Sequence, residues 1–240
     1  MHSTKRRSNM FGRTLIVGGS SGLGLEIART ILKRELGSVR VTGCQAPQDA
    51  ARLNFRQVDL GGVDYLGKIR GLVHGRKAAN INSLVLCLGP RIGLLDKVSR
   101  DKAERKIRRL CFESPVAVVK ECLKKHRQLN CLLAVTSALP TPQGVLWGTF
   151  RKSKSEFEKH LVGLVSGGRI KRVLVVRPGP MKTRFWQGLD LLPYPPPIDP
   201  ALLAEQLLDL IERREGNLMI TAPANGRVAA AKLDCSLGSR

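Results

Sequence analysis

The sequence predicts a single α/β domain built on a doubly wound parallel sheet with helices on both faces. Three observations predict it. Short apolar runs alternate along the chain with longer amphipathic stretches, the pattern of strands connected by crossover helices. A glycine cluster, Gly18 to Gly24, lies between the first apolar run and the first amphipathic stretch. The 240 residues are 42% hydrophobic, enough for one sizeable core, and no linker-like segment divides them.

The elements follow in order. Thr14–Val17 reads as a strand and Gly22–Leu36 as a helix with apolar residues at helical spacing. Val39–Thr42 and Phe55–Val58 read as strands, separated by a link with room for only a turn or so of helix. Tyr65–Lys77 reads as a helix and Ser83–Leu88 as a buried strand. Lys97–His126 is a long helical region with a break expected near Ser114 and Pro115, because proline lacks the N–H that continues a helix. Cys131–Thr136 reads as a strand, Thr149–Val165 as a helix and Arg172–Val176 as a strand. Pro200–Arg214, opening on a proline, reads as a helix, and Leu218–Thr221 as a last short strand. The proline-rich stretch Pro193–Pro200 reads as a loop within the domain.

Charge is the unusual quantity. The chain has 41 Lys and Arg against 19 Asp and Glu, a formal +22, which points to a polyanionic neighbour or to a generally basic proteome. The excess lies before Phe185, and Lys97–Arg127 carries much of it. The first twelve residues form a basic arm without acids, and residues 13–240 form the domain. The arm reads as a targeting remnant, a nucleic-acid-binding segment or a solvated tail. No apolar stretch follows it that would make a secretion signal, and no run is long enough to span a membrane. The six cysteines show neither paired nor metal-ligand spacing. Free thiols in an intracellular reducing compartment, cytoplasmic or organellar matrix, are the simplest account, with no metal site.

The cluster Gly18-Gly19-Ser20-Ser21-Gly22-Leu23-Gly24 follows a predicted strand and opens a predicted helix. Glycines there let the backbone turn tightly and approach a pyrophosphate, and the helix N-terminus supplies N–H donors for the anion. This context reads as a dinucleotide-binding loop.

The spacing resembles the T-G-x-x-x-G-x-G loop of the short-chain dehydrogenase/reductase family, with Val17 in the threonine position. Val58-Asp59-Leu60 resembles the strand end whose aspartate contacts the adenine. Arg177-Pro178-Gly179-Pro180-Met181-Lys182-Thr183 resembles the P-G-x-x-x-T segment beside the nicotinamide. The resemblance runs from about Arg13 to Thr221. It implies a Rossmann-like fold, a nicotinamide cofactor held by Gly18, Ser20, Ser21, Gly22, Leu23, Gly24, Asp59, Gly89, Lys154, Pro178, Gly179 and Thr183, and oxidoreductase activity.

The catalytic set is where the sequence departs from the family. A serine after the fifth strand, a tyrosine thirteen residues on and a lysine four beyond that form the family's set. Ser137 fits the serine, although an ordinary strand-end serine is the other reading. Lys154 fits the lysine, against the alternative of a solvated surface charge. Between them the tyrosine position holds Phe150, which has no proton to give. Loss of general acid–base catalysis removes on the order of 10²–10⁴-fold in rate. Cys111 stands where the family's fourth helix has an asparagine, and the N-N-A-G phrase is reduced to Leu86-Cys87-Leu88-Gly89. The resemblance therefore implies a weak or inactive carbonyl reductase or alcohol dehydrogenase. Tyr194, in the expected substrate-loop region, is the nearest conceivable replacement.

Gly43 stands where an aspartate would select NAD(H), and its absence together with the positive charge leans towards NADP(H). A vestigial site that takes no cofactor is the other outcome. The basic region 97–127 also bears on assembly. Family members commonly dimerise or tetramerise through their fourth and fifth helices, and like charges facing one another across such an interface would weaken it, unless the charges fall on the outer face and leave Ile107, Leu110, Val118 and Val119 for packing. The expectation is a doubtful homotetramer, or RNA or an acidic protein partner on that surface. The alternative function is accordingly a structural or RNA-binding subunit of a larger assembly such as an organellar ribonucleoprotein.

Overall fold

Leu15 and Ile16 are neighbours in the first strand and both are almost wholly buried, yet they belong to different cores. Successive strand residues point to opposite faces, so a strand apolar at every position is covered on both sides. The protein, seen here in a computed structural model, is described over residues 10–75, 80–138, 145–186, 197–223 and 228–233, less the side chains of residues 92 and 96.

Seven parallel strands form the sheet: β1 (Gly12–Val17), β2 (Gly37–Gly43), β3 (Arg56–Gln57), β4 (Ser83–Leu86), β5 (Cys131–Val135), β6 (Val173–Pro178) and β7 (Leu218–Ala222). An eighth, β8 (Ala229–Lys232), adds antiparallel to β7, and the order is β3-β2-β1-β4-β5-β6-β7-β8. β1 pairs with β2 from Gly12↔Gly37 to Val17↔Thr42 and with β4 from Thr14↔Ser83 to Val17↔Leu86. The strand order reverses between β1 and β4, which opens a crevice at their carboxyl ends. The doubly wound expectation is borne out.

The helices are α1 (Gly22–Lys33), α2 (Tyr65–His74), α3 (Arg100–Arg108), α4 (Ser114–Lys125), α5 (Val145–Val165) and α6 (Pro200–Arg213). α1 and α6 cover one face, packing Ile27, Ile31, Leu207 and Ile211 against Ile16, Val85, Leu133 and Leu174. α2, α4 and α5 cover the other, with Leu72, Val119 and Leu161 against Leu15, Leu84, Leu132 and Val175. Burying each such side chain fully is worth roughly 1.5–3 kcal/mol. Arg34 ties α1 to α6 through Glu205 and through Asp209 at 2.7 Å. Phe11 is also buried and Met10 packs against the same core, so the core reaches into the last residues of the basic arm; residues 1–9 lie outside the described residues. Among those residues no helix is long and apolar enough to cross a membrane.

Several boundaries differ from expectation for local reasons. α1 stops at Lys33 because Glu35 turns left-handed, at φ 55°, with Leu36 N donating to Ile31 O and Glu35 N to Leu32 O. That pair of bonds satisfies carbonyls the helix end would leave open. The strand expected over Phe55–Val58 forms ladder pairs only at Arg56 and Gln57. The strand expected to run to Leu88 leaves the ladder after Leu86, and the end of the helix expected to reach Lys77 lies outside the described residues. The helix expected over 97–126 runs from Arg100 to Lys125, because Val98 and His126 are extended, and within that span it widens without breaking. A π-helical turn over Arg109–Glu113 joins α3 to α4 and precedes Pro115. An α-helical path would set the proline ring against the Cys111 carbonyl, and a wider turn relieves that clash. α5 begins four residues earlier than its periodicity suggested, through Leu146, Trp147 and Gly148.

Candidate functional site

The crevice holds a cavity of about 710 Å³. The glycine loop forms its floor. Gly18 turns at φ 81°, and a Cβ there would lie 2.5 Å from Cys87 O, so only glycine lets β1 end this close to β4. A Cβ at Gly24 would meet Gly18 O at 2.8 Å and Cys87 Cβ at 2.9 Å, which is why the first turn of α1 can nest against the loop. Gly18 N and Gly19 N both donate to Thr42 O, at 3.1 and 2.9 Å, fixing the loop to β2. Ser21 stands at the N-cap in extended conformation, and its side chain does not cap the helix. The first N–H groups of α1 thus lie at the cavity without a side-chain acceptor from their own cap residue, the arrangement that receives an anion.

The residues singled out in the sequence converge here. Gly18, Ser20, Ser21, Gly22, Leu23, Gly24, Asp59, Gly89, Ser137, Phe150, Lys154, Pro178, Gly179 and Thr183 all line the cavity. Cys111 does not. It sits in a small separate core with Leu95, Ala103, Ile107 and Phe150. The π-helical turn carries it there, and burial pushes its thiol up to about 11 although the Lys154 charge pulls the other way. Tyr194 lies outside the described residues.

Lys154 is not a solvated surface charge. It is 6% exposed, and its Nζ donates to Leu88 O at 2.8 Å and Val135 O at 3.0 Å. The ammonium therefore pins the ends of β4 and β5 beside the cavity. It stands 5.9 Å from the centroid of the Phe150 ring. Phe150 in turn belongs to an aromatic wall. Trp147 and Phe185 lie 6.1 and 5.6 Å from it, centroid to centroid, and Trp186 lies 5.2 Å from Phe185. The Trp186 indole donates to Met181 O at 3.0 Å, which holds the wall to the segment after β6. Cys87, at the switch point, is pushed up to about 12 by burial, so it is a neutral thiol near pH 7.

At the other end, Asp59 accepts from Gly61 N at 2.8 Å and from the exposed Cys44 thiol at 3.7 Å. A Cβ at Gly43 would lie 2.1 Å from Ser20 Oγ. No acidic side chain fits there while Ser20 keeps its place. The cavity rim also carries Arg91, Lys102, Lys106 and Arg184. Sequence reasoning missed these cations and the aromatic wall as site residues. The available signals were the basic run 97–127, which holds Lys102 and Lys106, and the position of Arg184, Phe185 and Trp186 directly after Thr183.

No protein-family model matches the sequence, and no curated protein matches it. Solved structures do. A protein described as a short chain dehydrogenase/reductase family protein superposes at a TM-score of 0.68 with 21% identity, over 89% of this chain and 96% of its own. The angucycline C-6 ketoreductase LanV with bound NADP gives 0.63 at 20% identity, over 89% and 94%. A short chain dehydrogenase from Burkholderia cenocepacia in complex with NADP gives 0.65 at 18% identity, over 88% of each chain. The chain has the fold of the short-chain dehydrogenase/reductases.

Proposed function

We propose that this protein is an NADP(H)-binding relative of those reductases in which turnover as a carbonyl reductase or alcohol dehydrogenase is weak or absent. The observation that carries the reading is the pairing of a buried Lys154 with an aromatic ring that bears no hydroxyl. The lysine that would steady a cofactor ribose and depress a phenol pKa keeps its position, and the phenol is gone. The glycine floor, the N-terminus of α1, Asp59, Lys154 and the Pro178–Gly179 turn fit a dinucleotide. Two solved neighbours hold NADP. NADPH, when bound, supplies a hydride. Ser137 could polarise a carbonyl oxygen at the wall, but the phenol that would deliver the proton is missing at Phe150, and the nearby Cys87 and Cys111 thiols, pushed up by burial to about 12 and about 11, are weak acids in its place. The steric block on an acid at Gly43 favours NADP(H) over NAD(H). Calorimetric titration of the purified protein with NADPH and NADH tests the reading. Micromolar NADPH binding without measurable reduction of generic ketones supports it, and binding of neither nucleotide rejects it.

A second reading, a polyanion-binding subunit, is favoured by the outer side of α3 and α4. There Arg105, Lys120 and Lys124 are exposed, Arg127 follows just beyond α4, and Lys102 and Lys106 continue the charge to the cavity rim, while the apolar residues of both helices face inward. Phe112, with the Arg108 guanidinium over its ring, is the one aromatic in the 97–127 sequence, so phosphate contacts more than base stacking would carry RNA binding. Affinity should then fall steeply with salt. Binding that is flat in salt, or absent near physiological ionic strength, excludes this reading.

A further inference from the structure

Six large apolar side chains are exposed among the described residues: Val63, Leu66, Leu94, Val98, Val145 and Leu202, with Val63 the most open at 87%. Singly, such residues are ordinary. Their common position is not. Val63 and Leu66 follow β3, and Leu94 and Val98 follow β4. Val145 is the first residue of α5, after β5, and Leu202 lies in the first turn of α6, after β6. These strands run parallel, so all six residues follow their carboxyl ends, the end of the sheet at which the cavity opens. Cations stand among them. A Cβ on Gly61 would lie 3.3 Å from Lys106 Cε, and one on Gly62 would lie 3.6 Å from Lys68 Nζ, so both lysines flank the loop that carries Val63. Arg109 holds the same loop, donating to Gly61 O at 3.1 Å with its guanidinium over the Tyr65 ring. Lys102 and Lys106, one helical turn apart on α3, line the cavity together with Leu94 and Val98. Acids are present too, among them Asp59, Asp64 and Asp101, but residues 59–70 and 91–109 together hold ten Lys and Arg against five Asp and Glu. RNA would use these cations and leave valine and leucine in water. The interface of an anionic bilayer uses both, because its headgroups attract the cations and its acyl boundary takes in the apolar side chains.

We propose that the face carrying Val63, Leu66, Leu94 and Val98, with Lys102 and Lys106 among them, docks on an anionic lipid bilayer and turns the mouth of the cavity towards it. Contact is peripheral: four side chains enter the headgroup boundary, and no span is involved. An apolar ligand dissolved in the membrane then reaches the aromatic wall past Leu94 and Val98, which line the same cavity as Phe185 and Trp186. The docking stands independently of the nucleotide reading, since it uses the rim of the cavity and not its glycine floor.

The test is co-sedimentation of the full chain with vesicles of phosphatidylcholine, alone or with about 30% phosphatidylserine. Partitioning should be at least about ten-fold stronger on the anionic vesicles. A variant combining Val63→Ser, Leu66→Ser, Leu94→Ser and Val98→Ser keeps the charge and should lose about ten-fold or more. Lys102→Gln with Lys106→Gln should lose about ten-fold on the anionic vesicles. Circular dichroism checks that each variant is folded. Hydrogen exchange of the wild type needs no variant: amides of residues 61–68 and 92–98 should slow when anionic vesicles are added. Absence of partitioning onto anionic vesicles overturns the proposal. Protection confined to residues 117–127, or a serine variant that binds as tightly as the wild type, also overturns it and leaves the charge to a polyanion such as RNA.

Discussion

Lys154 Nζ lies 5.9 Å from the centre of the Phe150 ring and spends its hydrogen bonds on the carbonyls of Leu88 and Val135. A buried ammonium is tolerated only when bonded, and these two bonds give it a structural task that is independent of catalysis. The relationship separates what Lys154 does for the fold from what it could do for chemistry.

Phe150→Tyr should restore the missing proton donor. The added hydroxyl enters an aromatic wall beside an ammonium, which favours the phenolate and lowers its pKa. With NADPH bound, ketone reduction should rise by about 10²-fold or more over the wild-type background. A folded, NADPH-binding variant with no gain would mean that the substitutions at Cys111 and along Leu86–Gly89 also disable the site.

Lys154→Met keeps the length of the side chain and deletes its donors. Two buried carbonyls then lose a partner, which should lower unfolding stability by about 2 kcal/mol or more. Urea denaturation reads this directly, and an unchanged midpoint would show that the lysine contributes only to ligand binding.

Gly43→Asp should not convert the protein to NAD(H) use by itself. Its Cβ would stand 2.1 Å from Ser20 Oγ, so the glycine loop must shift and nucleotide affinity should fall for both cofactors. Combining it with Ser20→Gly removes the obstacle and should yield measurable NADH binding by titration. A single variant that gains NADH affinity would show that Ser20 yields more easily than this packing implies.

Alkali should unfold this chain early. Cys87, Cys122 and Cys131 are pushed by burial from an ordinary 9.0 to about 12, and Cys111 to about 11. A raised folded pKa means the unfolded chain releases the proton first. The stabilisation is therefore complete below about pH 9 and is lost as pH rises towards 11 and 12. Chemical denaturation at stepped pH should show stability falling across that window. Cys122→Ala and Cys131→Ala should flatten the slope, and a slope unchanged in both variants would assign it to other groups.

What could be read from the sequence was local or periodic. Runs such as Leu132–Val135 and Val173–Val176 announce buried strands, and the glycine loop is a short motif with a steric reason at Gly18 and Gly24. What could not be read depends on distant approach. Gln45 and Arg184 are 139 residues apart and meet only because β2 and the turn after β6 share one crevice. β8 escaped notice because Ala229–Lys232 is short and largely exposed, without alternation. Cys111 falls in the helical region after β4, but one π-helical turn packs it with Phe150 in a separate small core, away from the cavity. Periodicity assumes regular helix, and a single wide turn is invisible to it.

The aromatic wall has an optical consequence. The chain contains two tryptophans, Trp147 and Trp186, with ring centres 6.0 Å apart in that wall. Every photon of indole emission from this protein therefore originates within one small region beside the cavity. Global unfolding and local occupancy both change that emission, but only occupancy by a reduced nicotinamide, whose absorption overlaps it, drains it by resonance transfer. The native chain is its own reporter, and a dye label is unnecessary.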